Sequence, residues 1–228
     1  MTGAPDLVIF DCDGVLVDSE PIANRVFAER LATVGVHMEV REVMARFVGR
    51  TRAGCMELAA ELAGRALPAD FGEAWDAALF DALEREVRPV AGVEAVLEAL
   101  EHSFCVASNS SHRRLRLVLE CTGLVRHFEG RQFSAADVAR PKPAPDLFLH
   151  AAAQLGAAPA RCIVVEDTPT GARAAREAGM RVLAYAGAPY ADRARLAGEG
   201  AMLFDDMAML PGLLRRVLAA NQLFTLPK

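Results

Sequence analysis

The stretch VIFDCDGVLVDSEP, residues 8–21, places two carboxylates, Asp11 and Asp13, at the end of an apolar run that begins at Leu7. Four apolar residues without alternation read as a strand buried on both faces. In an extended chain Asp11 and Asp13 project to one side and Cys12 to the other. Gly14 then allows a turn that other residues resist. An isolated ionised carboxylate in an apolar interior costs many kcal/mol or gives up its charge. Whatever this chain does, something must neutralise that pair.

Working outward, further short apolar runs repeat the first: Phe104 to Ala107, Cys162 to Val165, Val182 to Tyr185 and, more weakly, Met202 to Phe204. Between them lie stretches with helical spacing, Gly92 to Leu100, Arg113 to Thr122, Pro145 to Leu155, Thr170 to Ala178 and Met207 to Ala220. Alternation of this kind predicts an α/β fold, a doubly wound parallel sheet. Residues 19–86 break the rhythm and read as almost all helix. Ser19 and Pro21 can open a helix that Gly35 ends, and helical segments follow over Val40 to Phe47, Thr51 to Ala63 and Ala69 to Val87. The expected organisation is an α/β core of residues 1–18 and 87–228 with a helical domain inserted at 19–86.

Composition narrows the function. Of 228 residues 53% are hydrophobic and 24% charged, with a formal net charge of −5, which suits a soluble globular protein and disfavours disorder and nucleic-acid binding. No apolar run approaches the roughly 18 residues of a membrane span, and no basic segment precedes an apolar core at the N-terminus, so a cytoplasmic protein is expected. The five cysteines, Cys12, Cys55, Cys105, Cys121 and Cys162, contain no CxxC pair and read as buried thiols. The five histidines show no metal-binding spacing. Only two of the 25 basic residues are lysines, Lys142 and Lys228, which makes Lys142 conspicuous.

In an open α/β sheet, ligands bind beyond the carboxyl ends of the strands near the point where strand order reverses. At those ends stand FDCDG with Asp11 and Asp13, ASNSS with Ser108 and Asn109, and VVEDTPTG with Glu166 and Asp167; ARPKPAP adds Lys142 between prolines. Each alone has a plain explanation as a turn, a cap or a solvated charge. Together they predict a shared pocket. Like charges ~4 Å apart repel by about 4 kcal/mol at an effective dielectric near 20, so four acids in one crevice demand a cation. An all-oxygen ligand set suits a hard ion such as magnesium. Such a cluster fits phosphoryl transfer, in which Asp11 can attack phosphorus and Asp13 can move the proton.

These residues resemble the haloacid dehalogenase (HAD) superfamily of phosphatases, in the branch that contains β-phosphoglucomutase and small sugar-phosphate phosphatases. DCDGVLVDSEP, ASNSS, RPKPAPDLF and VVEDTPTGARAAREAGM look like its four motifs in order. The resemblance implies Asp11 as nucleophile, Asp13 as general acid and base, Ser108 as phosphate ligand and Lys142 as their fixed cation. It implies Mg2+ held by Asp11, the Asp13 carbonyl and Asp167, with Glu166 close by, and a helical cap over residues 19–86. In FVGRTRAG, Gly49, Arg50 and Arg52 are the implied substrate contacts, with Asn109 from the core.

Departures from the pattern select among activities. Ala23 falls where the mutases carry a cap histidine, residues 19–86 contain no lysine for a Schiff base, and Asp13 is the second aspartate that dehalogenases lack. Hydrolysis of a small phosphomonoester is expected. The motif wording is most similar to 6-phosphogluconate phosphatases, so a sugar-acid phosphate is the favoured substrate. The alternatives are a β-phosphoglucomutase-type mutase and a non-catalytic phospho-ligand module. The expected partner is a small phosphorylated metabolite, with no nucleic acid, no membrane and a monomeric chain.

Overall fold

Strand β1 (Leu7–Phe10) is buried at all four positions and pairs in parallel with a strand on each side, as its unbroken apolar sequence requires. This is a computed structural model, and it describes residues 7–47 and 52–223. The chain forms two compact units, Asp18–Arg88 and the remainder, Met1–Val17 with Pro89–Lys228.

In the larger unit β1 is joined by β2 (Phe104–Ser108), β3 (Gln132–Ser134), β4 (Cys162–Glu166), β5 (Arg181–Tyr185) and β6 (Met202–Phe204). All pairs are parallel, in the order β3-β2-β1-β4-β5-β6. The chain winds outward from β1 to β3, then returns to the other side of β1 for β4. The reversal falls between β1 and β4, in register Phe10 to Val165, and opens the crevice beyond their carboxyl ends. The expected α/β doubly wound sheet is the observed one.

Five of the six strands lie where the apolar runs predict. The sixth, β3, is three residues long with one apolar side chain, Phe133, and gives no periodic signal. One face of the sheet, with Leu7, Ile9, Cys105, Val164 and Val182, packs on Leu147, Phe148, Ala151, Ala172 and Ala175 from the intervening helices. Cys12, Cys55, Cys105 and Cys162 are buried, while Cys121 is exposed, which corrects its reading as a buried thiol: it ends a helix with its side chain toward solvent.

The smaller unit has its own core. Helices α1 (Glu20–Ala32), α2 (Val40–Phe47), α3 (Arg52–Ala63) and α4 (Phe71–Glu86) bury Phe27, Leu31, Val43, Phe47, Cys55 and Phe71. Phe27 meets Phe47 edge-on at 4.8 Å between centroids and Trp75 at 4.3 Å. Pro21 lies in the first turn of α1, and Gly35, at φ 87°, turns the chain after its end. Where the chain leaves and re-enters the sheet unit, Val17 bridges Pro89, and Asp18 N–H donates to the Arg88 carbonyl at 2.9 Å. No helix among the described residues is long and apolar enough to cross a membrane.

Candidate active site

Asp11 follows β1 directly and remains tied to β4 by its N–H, which donates to the Val165 carbonyl at 2.9 Å. Its carboxylate is therefore held at the reversal point of the sheet. Glu166 ends β4, and Asp167 follows it. Asp11, Glu166 and Asp167 are all buried, as are Ser108 and Lys142.

Lys142 reaches this group from the loop that precedes α7 (Asp146–Gln154). Its Nζ lies 2.5 Å from Asp11 Oδ1 and 2.9 Å from Glu166 Oε1, and its side chain is only 3% exposed. The Phe148 ring lies under the ammonium, 4.6 Å away. Burial pulls the lysine's pKa down, but the two carboxylates outweigh it and hold it above its usual value. For Asp11 burial dominates and raises the carboxyl, against the pull of Lys142. Two carboxylates sharing one ammonium remain one positive charge short.

Three hydrogen bonds commit the second oxygen of Glu166: Oε2 accepts from Asp167 N–H at 2.9 Å, Thr168 N–H at 2.7 Å and Thr168 Oγ1 at 2.8 Å. Thr168 also caps α8 (Pro169–Glu177), its Oγ1 accepting from Gly171 N–H. Glu166, expected among the metal ligands, is thereby engaged at both oxygens as the anchor of Lys142.

The turn after β1 brings Asp167 against Gly14, the residue that follows Asp13. Gly14, at φ +82°, lets the chain fold back so that its N–H meets the Val17 carbonyl at 2.8 Å. A Cβ at Gly14 would run into the Asp167 carboxylate. Asp167 therefore lies against the backbone that follows Asp13, in space that only glycine leaves open. Among the described residues no three His, Cys, Asp or Glu side chains form a metal cage. The expected set asks for two carboxylates, Asp11 and Asp167, and the main-chain carbonyl of Asp13. Hard oxygens beside an uncompensated buried charge fit magnesium.

Asp13 faces the turn between β2 and α6 (His112–Cys121). Its Oδ2 accepts from Ser110 Oγ at 2.7 Å and, at 3.5 Å, from Ser108 Oγ; its Oδ1 accepts from Arg114 Nη2 at 2.8 Å. Ser108 Oγ in turn accepts from Ser110 N–H at 3.0 Å. Asn109, expected to touch substrate, clamps the main chain of Lys142: its Nδ2 donates to the Lys142 carbonyl at 3.1 Å and its Oδ1 accepts from the Lys142 N–H at 3.0 Å. Arg52 begins α3 in the other unit and pairs with Asp76 at 2.8 Å, both half exposed. Gly49 and Arg50 lie outside the described residues.

The sequence reading thus missed Arg114, Ser110, Thr168 and Phe148, and the clamp that Asn109 makes on Lys142. Only Thr168 had a local signal, as the cap before Pro169. The pattern of the haloacid dehalogenase-like hydrolases matches residues 5–179.

The chain belongs to the haloacid dehalogenase-like hydrolases. It is 31% identical over 189 residues to the 6-phosphogluconate phosphatase of Escherichia coli, covering 81% of this chain and 84% of that one. It is 32% identical over 178 residues to fructose-1-phosphate phosphatase YqaB of the same organism, covering 76% and 92%. Among solved structures, a haloacid dehalogenase-like protein of unknown function from Agrobacterium tumefaciens superposes with a TM-score of 0.85 at 39% identity, covering 94% of this chain and 99% of that one. A HAD family hydrolase from Deinococcus radiodurans with bound phosphate and sodium gives 0.79 at 34% identity, covering 95% and 98%. This haloacid dehalogenase-like chain is a phosphatase of phosphomonoesters, and the binding-only alternative gives way to an enzyme.

Proposed function

We propose that the chain hydrolyses a small sugar phosphate or sugar-acid phosphate with magnesium, through a phosphoryl group carried on Asp11. The observation that carries this is the buried trio of Asp11, Lys142 and Glu166 at the sheet reversal, with Asp13 two residues beyond Asp11. A carboxylate needs no base to become a nucleophile. Asp11 attacks phosphorus, the ester P–O bond breaks, and Asp13 gives its proton to the departing sugar oxygen. Water then attacks the phosphorus, Asp13 takes its proton, the bond to Asp11 breaks, and inorganic phosphate leaves.

Charge on the transferring group calls for preorganised donors and cations. Lys142, the Ser108 hydroxyl and the N–H groups opening α6 supply them from this chain. Asp11, Asp167 and the Asp13 carbonyl would hold magnesium, which supplies a further positive charge for the phosphoryl oxygens. In this reading residues 19–86 are a helical cap, the chain is a cytoplasmic monomer, and Ala23 in place of a cap histidine favours hydrolysis over mutase chemistry.

A screen of sugar phosphates, sugar-acid phosphates and nucleotides for phosphate release with magnesium tests the substrate class. The expected result is turnover led by 6-phosphogluconate or a hexose phosphate and lost in Asp11→Asn. Conversion of β-glucose 1-phosphate to glucose 6-phosphate without free phosphate would replace the reading with a mutase.

A further inference from the structure

We infer that Arg114 is a positioning residue for Asp13 that serves the second half of the reaction, the attack of water on the phosphorylated enzyme. The inference rests on the phosphatase reading above. Arg114 is the third residue of α6, after the capping Ser111, whose Oγ accepts from the Arg114 N–H. Helical side chains tilt toward the N-terminus of their helix, and this one reaches back across the turn to Asp13. Its neighbours behave differently. Arg113 is exposed, and Arg116 is 73% exposed in a pair with Glu120 on its own helix. Arg114 is 21% exposed and Asp13 16%, so their pair is the sheltered one.

Both oxygens of Asp13 act as acceptors here: Oδ1 from Arg114, Oδ2 from Ser110 at 2.7 Å and Ser108 at 3.5 Å. The serine hydroxyls can donate or accept and so hold either form of Asp13, whereas a guanidinium only donates and binds an ionised carboxylate most strongly. A carboxylic acid carrying the leaving group's proton therefore weakens the Arg114 contact. The carboxylate that remains after the sugar departs restores it. Arg114 thus holds Asp13 best in the form that takes a proton from water, while Ser110 and Ser108 hold its other oxygen in both forms.

Steady-state and rapid-mixing kinetics with p-nitrophenyl phosphate and 6-phosphogluconate separate this role from a structural one. kcat/KM reports steps up to phosphorylation of Asp11, whereas kcat also contains its hydrolysis. For Arg114→Gln the expected result is a fall in kcat of about tenfold or more. kcat/KM should stay within about threefold of wild type. A burst of about one p-nitrophenol per site should appear, and the two substrates should converge on one kcat. Arg114→Lys should recover part of kcat, and Arg116→Gln should match wild type. Should Arg114→Gln not fold, Arg114→Lys, which keeps the charge without the planar fork, should show the same burst with a smaller fall in kcat. A parallel fall of kcat and kcat/KM without a burst, or unchanged kinetics, would overturn the inference. A wild-type enzyme that releases no phosphate, or an Asp11→Asn variant as active as wild type, is a distinct result that removes the phosphatase reading itself.

Discussion

The ammonium of Lys142 sits 2.5 Å from Asp11 Oδ1 although 131 residues separate them, and it holds Glu166 at 2.9 Å with its other side on the Phe148 ring. Removing one partner from a buried ion pair costs about 3–5 kcal/mol, because the remaining charge stays buried. Lys142→Met leaves two carboxylates facing each other. It should lower the unfolding free energy by about that amount in urea titration and abolish phosphate release. Adding Glu166→Gln should return part of the stability and none of the activity. A Lys142→Met protein as stable as wild type would show that the network contributes nothing to the fold.

Burial holds the Asp11 carboxyl at about 7, against the pull of Lys142 and with Glu166 and Asp13 adding to the rise. An unfolded aspartate titrates near pH 4, at about 3.9. Between those values the folded chain keeps a proton that the unfolded chain releases. Stability therefore falls as pH rises across this window, by at most about 1.4 kcal/mol per pH unit, and levels above it. In chelator, the melting temperature of the wild type should decline from pH 5 to pH 7, and Asp11→Asn should lack that component. Magnesium favours the carboxylate, so it should raise the melting temperature more at pH 8 than at pH 5. Identical pH profiles for the two proteins would contradict this.

What the sequence makes legible follows from where its charges stand. Asp11 and Glu166 each end an apolar run, so a parallel sheet has only one place to put them, the crevice at its reversal. Lys142 stands out because the chain otherwise uses arginine. Arg114 is hidden by that same usage: one arginine among many gives no signal, and its contact with Asp13 spans 101 positions. Asn109 hides its clamp for another reason. Its amide can serve a ligand or a backbone equally well, and only the fold brings the Lys142 peptide to it. The strand β3 escapes because three residues cannot establish a period.

Asn109 closes two hydrogen bonds on one residue, at 3.1 and 3.0 Å, and so sets where the Lys142 side chain begins. Asn109→Asp removes the donor to the Lys142 carbonyl and sets a carboxylate against it. Displacement of a catalytic group by an ångström can cost about 100-fold in rate. Asn109→Asp should lose about 10- to 100-fold in kcat, with a smaller change in KM. A rise in KM at constant kcat would instead favour Asn109 as a substrate contact.

Gly14 is the position at which the backbone, and not a side chain, makes room for Asp167, one of the proposed ligands of magnesium. Its φ of +82° is costly for any residue with a Cβ, and that Cβ would displace the Asp167 carboxylate. Such strain costs about 1–3 kcal/mol. Gly14→Ala should therefore lower stability by about that amount. A larger effect is expected on the metal. Ligand that binds only the folded state stabilises it in proportion to the logarithm of its saturation. Magnesium should raise the melting temperature of the wild type and leave Gly14→Ala nearly unmoved, while Asp167→Asn, which keeps the turn and weakens one ligand, should respond in between. If Gly14→Ala gained as much from magnesium as the wild type, Asp167 would have no part in holding the ion.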